Sequence, residues 1–411
     1  MPQNQFDILI VGGGHGGAQA AIALRQGGYA GAIGIVTEEA ERPYERPPLS
    51  KEYLLGEKSF DRMMIRKPAF WDERDITFRL GERVTAIDPA AKTVATDTGS
   101  SIAFDKLIWA AGGSARRLSC AGADLAGVHV IRAKADTDAI LTHLPEASHV
   151  TVVGGGYIGL EAAAALRKLG RAVTLLEALD RPLARVAGPE LSTFYIEEHR
   201  QQGVDLRVST SVTSLHGEGG RVTLVELADG TMLQTDMVIV GIGISPEIAP
   251  LQEAGAVCEN GVRVDAQCRT SLPDIFAIGD CALHENRFAA GREVRIESVQ
   301  NANDQANAAA KVILGEDARY DAVPWFWSNQ YDLKLQTVGL SSGFDDTVLR
   351  GDPADRSFSV VYLRSGRIIA LDCVNRAKDY VQGRRLVLEG AAPDKSALAD
   401  DTIPLKALIG G

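Results

Sequence analysis

The chain reads as an α/β protein: two doubly wound units of one kind, the second inserted into the first, and a small C-terminal α+β domain. Three observations predict this. A glycine-rich turn between an apolar strand and a helix occurs twice, offset by 142 residues (Gly12 to Gly154). An apolar run from Val238, ending at Ser245-Pro246, marks the return from the insertion. Beyond about residue 320 the pattern changes to a hairpin and a helix. The expected boundaries are 1–112 with 243–320 for the first unit, 113–242 for the insertion and 321–411 for the last domain.

The first copy opens with Phe6–Val11 as a strand, followed by Gly12-Gly13-Gly14-His15-Gly16-Gly17. Ala18–Leu24 continues as a helix, Gly27-Gly28 stops it, and Ala32–Val36 is a second strand with Glu38 at its end. The second copy is the strand Val150–Val153, then Gly154-Gly155-Gly156-Tyr157-Ile158-Gly159. Its helix runs through Glu161–Leu166 to Gly170, and its strand Ala172–Leu176 ends at Glu177.

Both copies have the parts of a Rossmann-like dinucleotide site. Gly12 and Gly154 allow the tight turn, Gly14 and Gly156 let a pyrophosphate approach the backbone, and Gly17 and Gly159 let helix and strand pack closely. Gly16 and Ile158 complete the cofactor-binding sets of the two turns. The helix N-termini offer N–H groups and a positive dipole end. Glu38 and Glu177 are expected to accept hydrogen bonds from ribose hydroxyls. A carboxylate at 177 repels a 2′-phosphate and favours NADH over NADPH, although Arg171, Arg181 and Arg185 stand near enough in sequence to soften the preference. Two such units without a separate substrate domain suggest one for FAD, one for NAD, and hydride transfer between the two.

Composition narrows the class. Of 411 residues 45% are hydrophobic, 24% charged and 6% aromatic, which is ordinary globular usage. A formal charge of −11 argues against a general nucleic-acid binder. No apolar run has the length of a membrane span, and no secretory signal pattern opens the chain, so a cytoplasmic protein is expected. The five cysteines are scattered and read as thiols in a reducing compartment, with Cys281 beside Gly279-Asp280 the place to look for a reactive one. No metal-ligand spacing is present. His15 reads as a loop residue without catalytic work.

With these residues in view, the chain resembles the pyridine-nucleotide-dependent flavoprotein reductases, and among them the putidaredoxin reductase type. Those are FAD-containing, NADH-dependent ferredoxin reductases serving bacterial oxygenases. The resemblance runs from about Asp7 to about Arg385 and implies a glutathione-reductase-like architecture. Pro43-Tyr44-Glu45-Arg46-Pro47-Pro48-Leu49-Ser50-Lys51 is similar to the family segment beneath the flavin. The resemblance places Lys51 near the flavin N5, paired with Glu161, and both are read as catalytic. No redox cysteine pair stands here, which separates the chain from disulfide reductases of the same fold.

Leu272–Asp280 looks like the family strand that delivers an aspartate, here Asp280, to the ribityl chain of FAD. The resemblance also implies FAD contacts from Val84, Arg132 and Val299. In Pro324-Trp325-Phe326-Trp327-Ser328-Asn329-Gln330-Tyr331 it places Trp327 at the flavin edge facing a ferredoxin; Trp325 reads as core. The chain departs from the family at Ala111, where threonine is common, and at Ala115, where proline is common.

The mechanism so implied passes a hydride from NADH to FAD and then single electrons to an iron–sulfur ferredoxin that feeds a haem monooxygenase or a Rieske dioxygenase. Such ferredoxins are usually acidic, so docking needs a local basic patch. Segment 361–390 holds Arg364, Arg367, Arg376, Lys378, Arg384 and Arg385 against Asp372, Asp379 and Glu389. A monomer or weak homodimer is expected. Two rivals remain at this point: an NADH-dependent flavoenzyme with a direct acceptor (quinone, rubredoxin or oxygen), and a non-enzymatic NADH redox sensor resembling apoptosis-inducing factor.

Overall fold

The computed structural model describes residues 4–409. They form two compact units, one containing the segments up to Arg46, Phe60–Ser114 and Ser245–Pro324, the other Pro47–Ser59, Ala115–Ile244 and the chain from Trp325.

In the first unit, Ile76–Leu80, Ile33–Thr37, Gln5–Val11 and Ser101–Trp109 pair in that order, all parallel, and Ile275–Ala277 also pairs parallel with Ser101–Trp109. Thr93–Thr96 and Val84–Asp88 extend the far edge as antiparallel strands. Ile8 and Ile10 face a cluster built with Ala18, Ala21 and Leu24 of the helix His15–Gln26 and Ala306, Ala309 and Val312 of the helix Val299–Ile313. Leu9 and Val11 face the opposite cluster. A strand buried on both faces needs the continuous apolar run seen in the sequence.

The second unit repeats the plan. Val204–Arg207, Ala172–Leu176, His149–Val153, Met237–Val240 and Val128–Val130 form an all-parallel sheet. Against it lies the helix Tyr157–Lys168, whose Leu160 and Ala162–Leu166 are buried. Small side chains let that helix approach closely at little cost in helix propensity. A three-stranded antiparallel sheet over 212–234 is appended.

The C-terminal part of this unit is a five-stranded antiparallel sheet, in the order Trp325–Gln330, Leu333–Gly339, Arg367–Val374, Ser357–Arg364, Asp346–Asp352. The expected hairpin is there. Ser365 and Gly366 at its tip have φ of +50° and +74°, the pair of positive angles that a two-residue turn demands. The expected helix spans Ala377–Glu389. Arg350, 1% exposed, ties the end of the chain to this sheet: it bonds Asp379 (3.1 Å) and the carbonyls of Leu398 (3.1 Å), Asp400 (2.5 Å) and Ile403 (2.5 Å).

Two expectations shift. Pro47–Ser59 packs with the second unit, although sequence order put it inside the first. Its bonds explain this: the Thr137 hydroxyl donates to the Leu49 carbonyl at 3.3 Å, and Lys168 meets Glu57 at 3.2 Å. His15 is the first residue of its helix and lies outside the preceding loop.

Candidate functional site

Each glycine turn passes a steric test for a bound phosphate. Gly12 and Gly154 have φ of +110° and +109°, and a Cβ on either would overlap the carbonyl of Ala110 or of Gly241. A Cβ on Gly17 or Gly159 would overlap the carbonyl oxygen of Gly12 or Gly154. Gly14 and Gly156 differ. They are the N-caps of their helices, and the atoms nearest a Cβ there lie at 3.8 and 3.9 Å. Tight packing on two glycines and open space at the middle one is the shape a pyrophosphate needs. Neither helix has an acid in its first turn to oppose an anion. Gly16 is buried against Ile278, and Ile158 is 40% exposed on the first turn of the second helix.

The acids at the strand ends are not equivalent. Gly12 N–H donates to the Val36 carbonyl and Gly154 N–H to that of Leu176, both at 2.8 Å. The register therefore matches Thr37, rather than Glu38, with Glu177. Consistently, a Cβ on Gly13 would meet Thr37, and one on Gly155 would meet the Glu177 carboxylate. Glu38 lies one residue further on, exposed, 3.9 Å from Arg83. The Glu177 oxygens each accept a backbone N–H, from Gly155 at 2.6 Å and Leu179 at 2.8 Å. The carboxylate thus closes its own turn, and each oxygen keeps a further lone pair. Arg181 is spent on the carbonyls of Ala184 and Ala187 and on Ser192, whereas Arg185 is exposed.

Arg46 carries no sequence signal of its own within Pro43–Lys51. Its Nε stands 3.8 Å from the Cβ position of Gly14, and Glu39 holds its guanidinium at 2.5 Å. Tyr44 donates to the same Glu39. The side chain puts a fixed positive charge beside the first turn, on a segment the sequence marked only by its prolines.

Asp280 follows the strand Ile275–Ala277 through Gly279, whose φ is +77° and whose N–H donates to Gln305 Oε1 at 2.7 Å. Arg295 binds the Asp280 carbonyl at 2.5 Å. Val299 starts the next helix, capped by Ser298, which accepts from Asn301 N–H at 3.0 Å. Val84 is 6% exposed and belongs to the core, so its backbone alone is offered to a ligand. Cys281 is fully buried and its thiol is pushed up to about 12 by burial, the reverse of a reactive thiolate.

In the second unit Lys51 and Glu161 are brought together across 110 residues of sequence. Lys51 Nζ donates to Glu161 Oε2 at 2.8 Å, and the Ser50 hydroxyl donates to the same oxygen at 2.6 Å. The Ser328 hydroxyl donates to Oε1 at 2.7 Å. The side chains are 10% and 1% exposed. A buried carboxylate with a cation and two hydroxyl donors has its charge fully met. Arg132 N–H donates to Asp136 at 3.0 Å, just before the helix Lys134–His143.

Strand alternation sorts the aromatics. Phe326 stacks on Tyr157 of the second fingerprint at 4.6 Å, on the same side as Ser328 and Gln330. Trp325 and Trp327 share the other side, 5.6 Å apart, and Tyr380 borders Trp325 at 6.5 Å. Trp325 is half-buried, not core; it extends the surface of Trp327. Of the six basic residues of the segment, Arg376 pairs with Asp379 and Asp401, Arg385 with Glu389, and Arg367 bonds the Gly390 carbonyl. Arg364, Lys378 and Arg384 enter no ion pair among the described residues.

Residues 6–306 match the family model of the pyridine nucleotide-disulphide oxidoreductases, and 325–409 match that of the reductase C-terminal domain. The chain belongs to the pyridine nucleotide-disulphide oxidoreductase family. It is 61% identical over 404 residues to the ferredoxin reductase subunit of 5,5′-dehydrodivanillate O-demethylase from a Sphingobium species, covering 98% of each chain. It is 57% identical to a ferredoxin–NAD(P)(+) reductase of a Sphingomonas species, over 99% of this chain and 98% of that one. The reductase in the crystal structure of a covalent putidaredoxin reductase–putidaredoxin complex superposes with a TM-score of 0.95 at 37% identity, covering 100% of this chain and 99% of that one. Membership in this family implies an oxidoreductase that uses FAD and a pyridine nucleotide. No helix among the described residues is long and apolar enough to cross a membrane.

Proposed function

We infer that the chain is the FAD-dependent reductase of an oxygenase system, taking electrons from NADH and delivering them to an iron–sulfur ferredoxin. One observation carries this reading: two open-centred glycine turns occur in one chain whose relatives, at 61% and 57% identity over nearly full length, are ferredoxin reductases. The first turn, Arg46, Asp280 and the Val299 backbone hold FAD; the second turn and Glu177 hold NADH. A bound flavin supplies the chemistry of accepting a hydride and releasing electrons singly.

The chain's own residues bind, orient and set charge. Lys51 provides a buried positive charge for a reduced, anionic ring, and Glu161 holds its ammonium in place. Phe326 fixes the ring of Tyr157 at the start of the nucleotide helix. Trp327, with Trp325 and Tyr380, offers an aromatic surface to the ferredoxin. Exposed Lys378 and Arg384, on one helix beside Val381, 67% exposed, form its docking patch, small and basic on a chain of net charge −11. Five free cysteines suit a reducing cytoplasm.

The test is NADH-driven reduction of cytochrome c by the holoprotein with an iron–sulfur ferredoxin present or omitted. Reduction that needs the ferredoxin, and slows as salt is raised, is expected. Flavin bleaching by NADH with no electron transfer to any ferredoxin supplied, including those encoded beside the protein's own gene, would replace this reading with a direct-acceptor flavoenzyme.

A further inference from the structure

Beyond Ser328 the hydrogen bonds to Glu161 do not end. Gln330 Nε2 donates to Ser328 Oγ at 3.3 Å, Gln330 Oε1 meets His199 Nε2 at 2.9 Å, and His199 Nδ1 meets the Tyr331 hydroxyl at 3.0 Å. Glu161, Ser328, Gln330 and His199 are 2%, 0%, 1% and 0% exposed, while Tyr331 is only partly covered. The helices Tyr157–Lys168 and Pro189–Gln201 and the strand Trp325–Gln330 each contribute a member. No step of the reduction uses His199, Gln330 or Tyr331.

We propose that Tyr331, His199, Gln330 and Ser328 form one polarised hydrogen-bond chain that sets the charge state of Glu161. The polarity follows from the donors available. Gln330 turns its amide N–H toward Ser328, so its carbonyl faces His199, and His199 Nε2 must carry hydrogen. Burial drives the His199 imidazole toward its neutral form, so Nδ1 is an acceptor and the Tyr331 O–H must donate to it. With an acceptor site of Ser328 taken by Gln330, its hydrogen is directed to Glu161 Oε1. Every donor points inward, which is the arrangement that favours a carboxylate.

The reverse polarity fits the protonated acid. Glu161 O–H would then donate to Ser328, the Ser328 hydroxyl to a turned-over Gln330 carbonyl, the Gln330 amide to His199 Nε2, and His199 Nδ1–H to Tyr331. Tyr331 thus selects between the two at the partly exposed end. His199, Gln330 and Tyr331 are positioning residues that act through Ser328. The other groups facing Glu161 are Lys51, Ser50, Tyr157 and Tyr195; Asp372, bonded to Tyr362, acts on the same two tyrosines. Glu198, paired with Arg356, is the charge facing His199. None of these supplies a second cation to Glu161, so the hydroxyl donors decide its balance with Lys51.

The inference deepens the role proposed for Glu161, and its test reads the carboxyl itself. Infrared difference titration of the holoprotein, with Glu161→Gln identifying the band, gives the pH at which Glu161 takes a proton. Ser328→Ala is expected to raise its proton affinity about tenfold, the worth of one hydrogen bond to a charged group. Tyr331→Phe, which removes one hydroxyl from a partly exposed ring, is expected to raise it about threefold, and Ser328→Thr to restore the wild-type midpoint. A Tyr331→Phe midpoint equal to wild type overturns the chain, as does a Glu161 that stays ionised in every variant until acid unfolding. Flavin bleaching indifferent to Glu161→Gln would instead remove Glu161 from the reduction and leave these midpoints to stand or fall separately.

Discussion

Gly12 and Gly154 hold φ of +110° and +109° and lead into helices of equal length, yet the two turns are supported differently. The first is backed within its own unit by the helix Val299–Ile313, through apolar contacts and the Gln305 bond to Gly279. The second is backed by the C-terminal sheet through buried polar groups. Phe326 stacks on Tyr157, Ser328 bonds Glu161, and Tyr362 accepts from Gly188 N–H at 2.8 Å while donating to Asp372 at 2.6 Å. The same backbone turn can thus be fixed by packing or by a hydrogen-bond network. A network answers to protonation; an alanine-rich helix interface does not.

The largest effect that would break this contrast is one of pH. Asp372 is fully buried, and burial raises its carboxyl from the usual range to about 7, with the Tyr362 hydroxyl opposing. A folded-state value above the unfolded one gives stability that is complete below about pH 4 and lost as pH rises through about 7. The loss amounts to about 4 kcal/mol for this group. Asp372→Asn should flatten the decline between about pH 4 and pH 7, read by urea unfolding of the holoprotein at pH 4 and pH 8. An unchanged slope would mean that Asp372 is not buried as an acid.

Next is the buried ion pair. Lys51→Ala should leave FAD bound and slow flavin bleaching by NADH about a hundredfold, as loss of one oriented charge does. Stopped-flow reduction measures it, and wild-type kinetics would remove Lys51 from the mechanism. Smaller still is the difference between the strand-end acids. Glu177→Ala loses the bonds to Gly155 and Leu179 and should weaken NADH binding about tenfold and narrow the preference over NADPH. Glu38→Ala should leave flavin content and NADH kinetics within about twofold, because its one ion pair among the described residues is with exposed Arg83 at 3.9 Å. Equal effects of the two substitutions would erase the distinction drawn from the register.

Much of this was legible because its causes are local. Glycines that only positive φ or close packing explains, and strands apolar on both faces, repeat at a fixed offset and announce themselves. Thr37, one residue before Glu38, stands in register with Glu177 because the link from turn to second strand is two residues longer in the first copy (Gly12 to Thr37 against Gly154 to Glu177). Spacing alone cannot reveal that; the Gly12–Val36 hydrogen bond does. Alternation shows which residues share a face and not whether that face is covered, so the half-buried state of Trp325 is not legible in the sequence. Arg46 and the Tyr331–Glu161 chain were invisible for a different reason. The members of the chain are distant in sequence, as His199 and Gln330 are at 131 residues, and although Glu39 is only seven residues from Arg46, no local pattern pairs them.

The central claim is that the two turns hold two different nucleotides. Gly12→Ala and Gly154→Ala each place a Cβ on a carbonyl at one turn only. Flavin content per chain, followed by titration with NADH under anaerobic conditions, separates them. The account predicts that Gly12→Ala is purified without flavin. Gly154→Ala should stay yellow with full flavin and need at least about tenfold more NADH to bleach. A Gly154→Ala protein that loses its flavin, or a Gly12→Ala protein that keeps it, would contradict the assignment of the two turns.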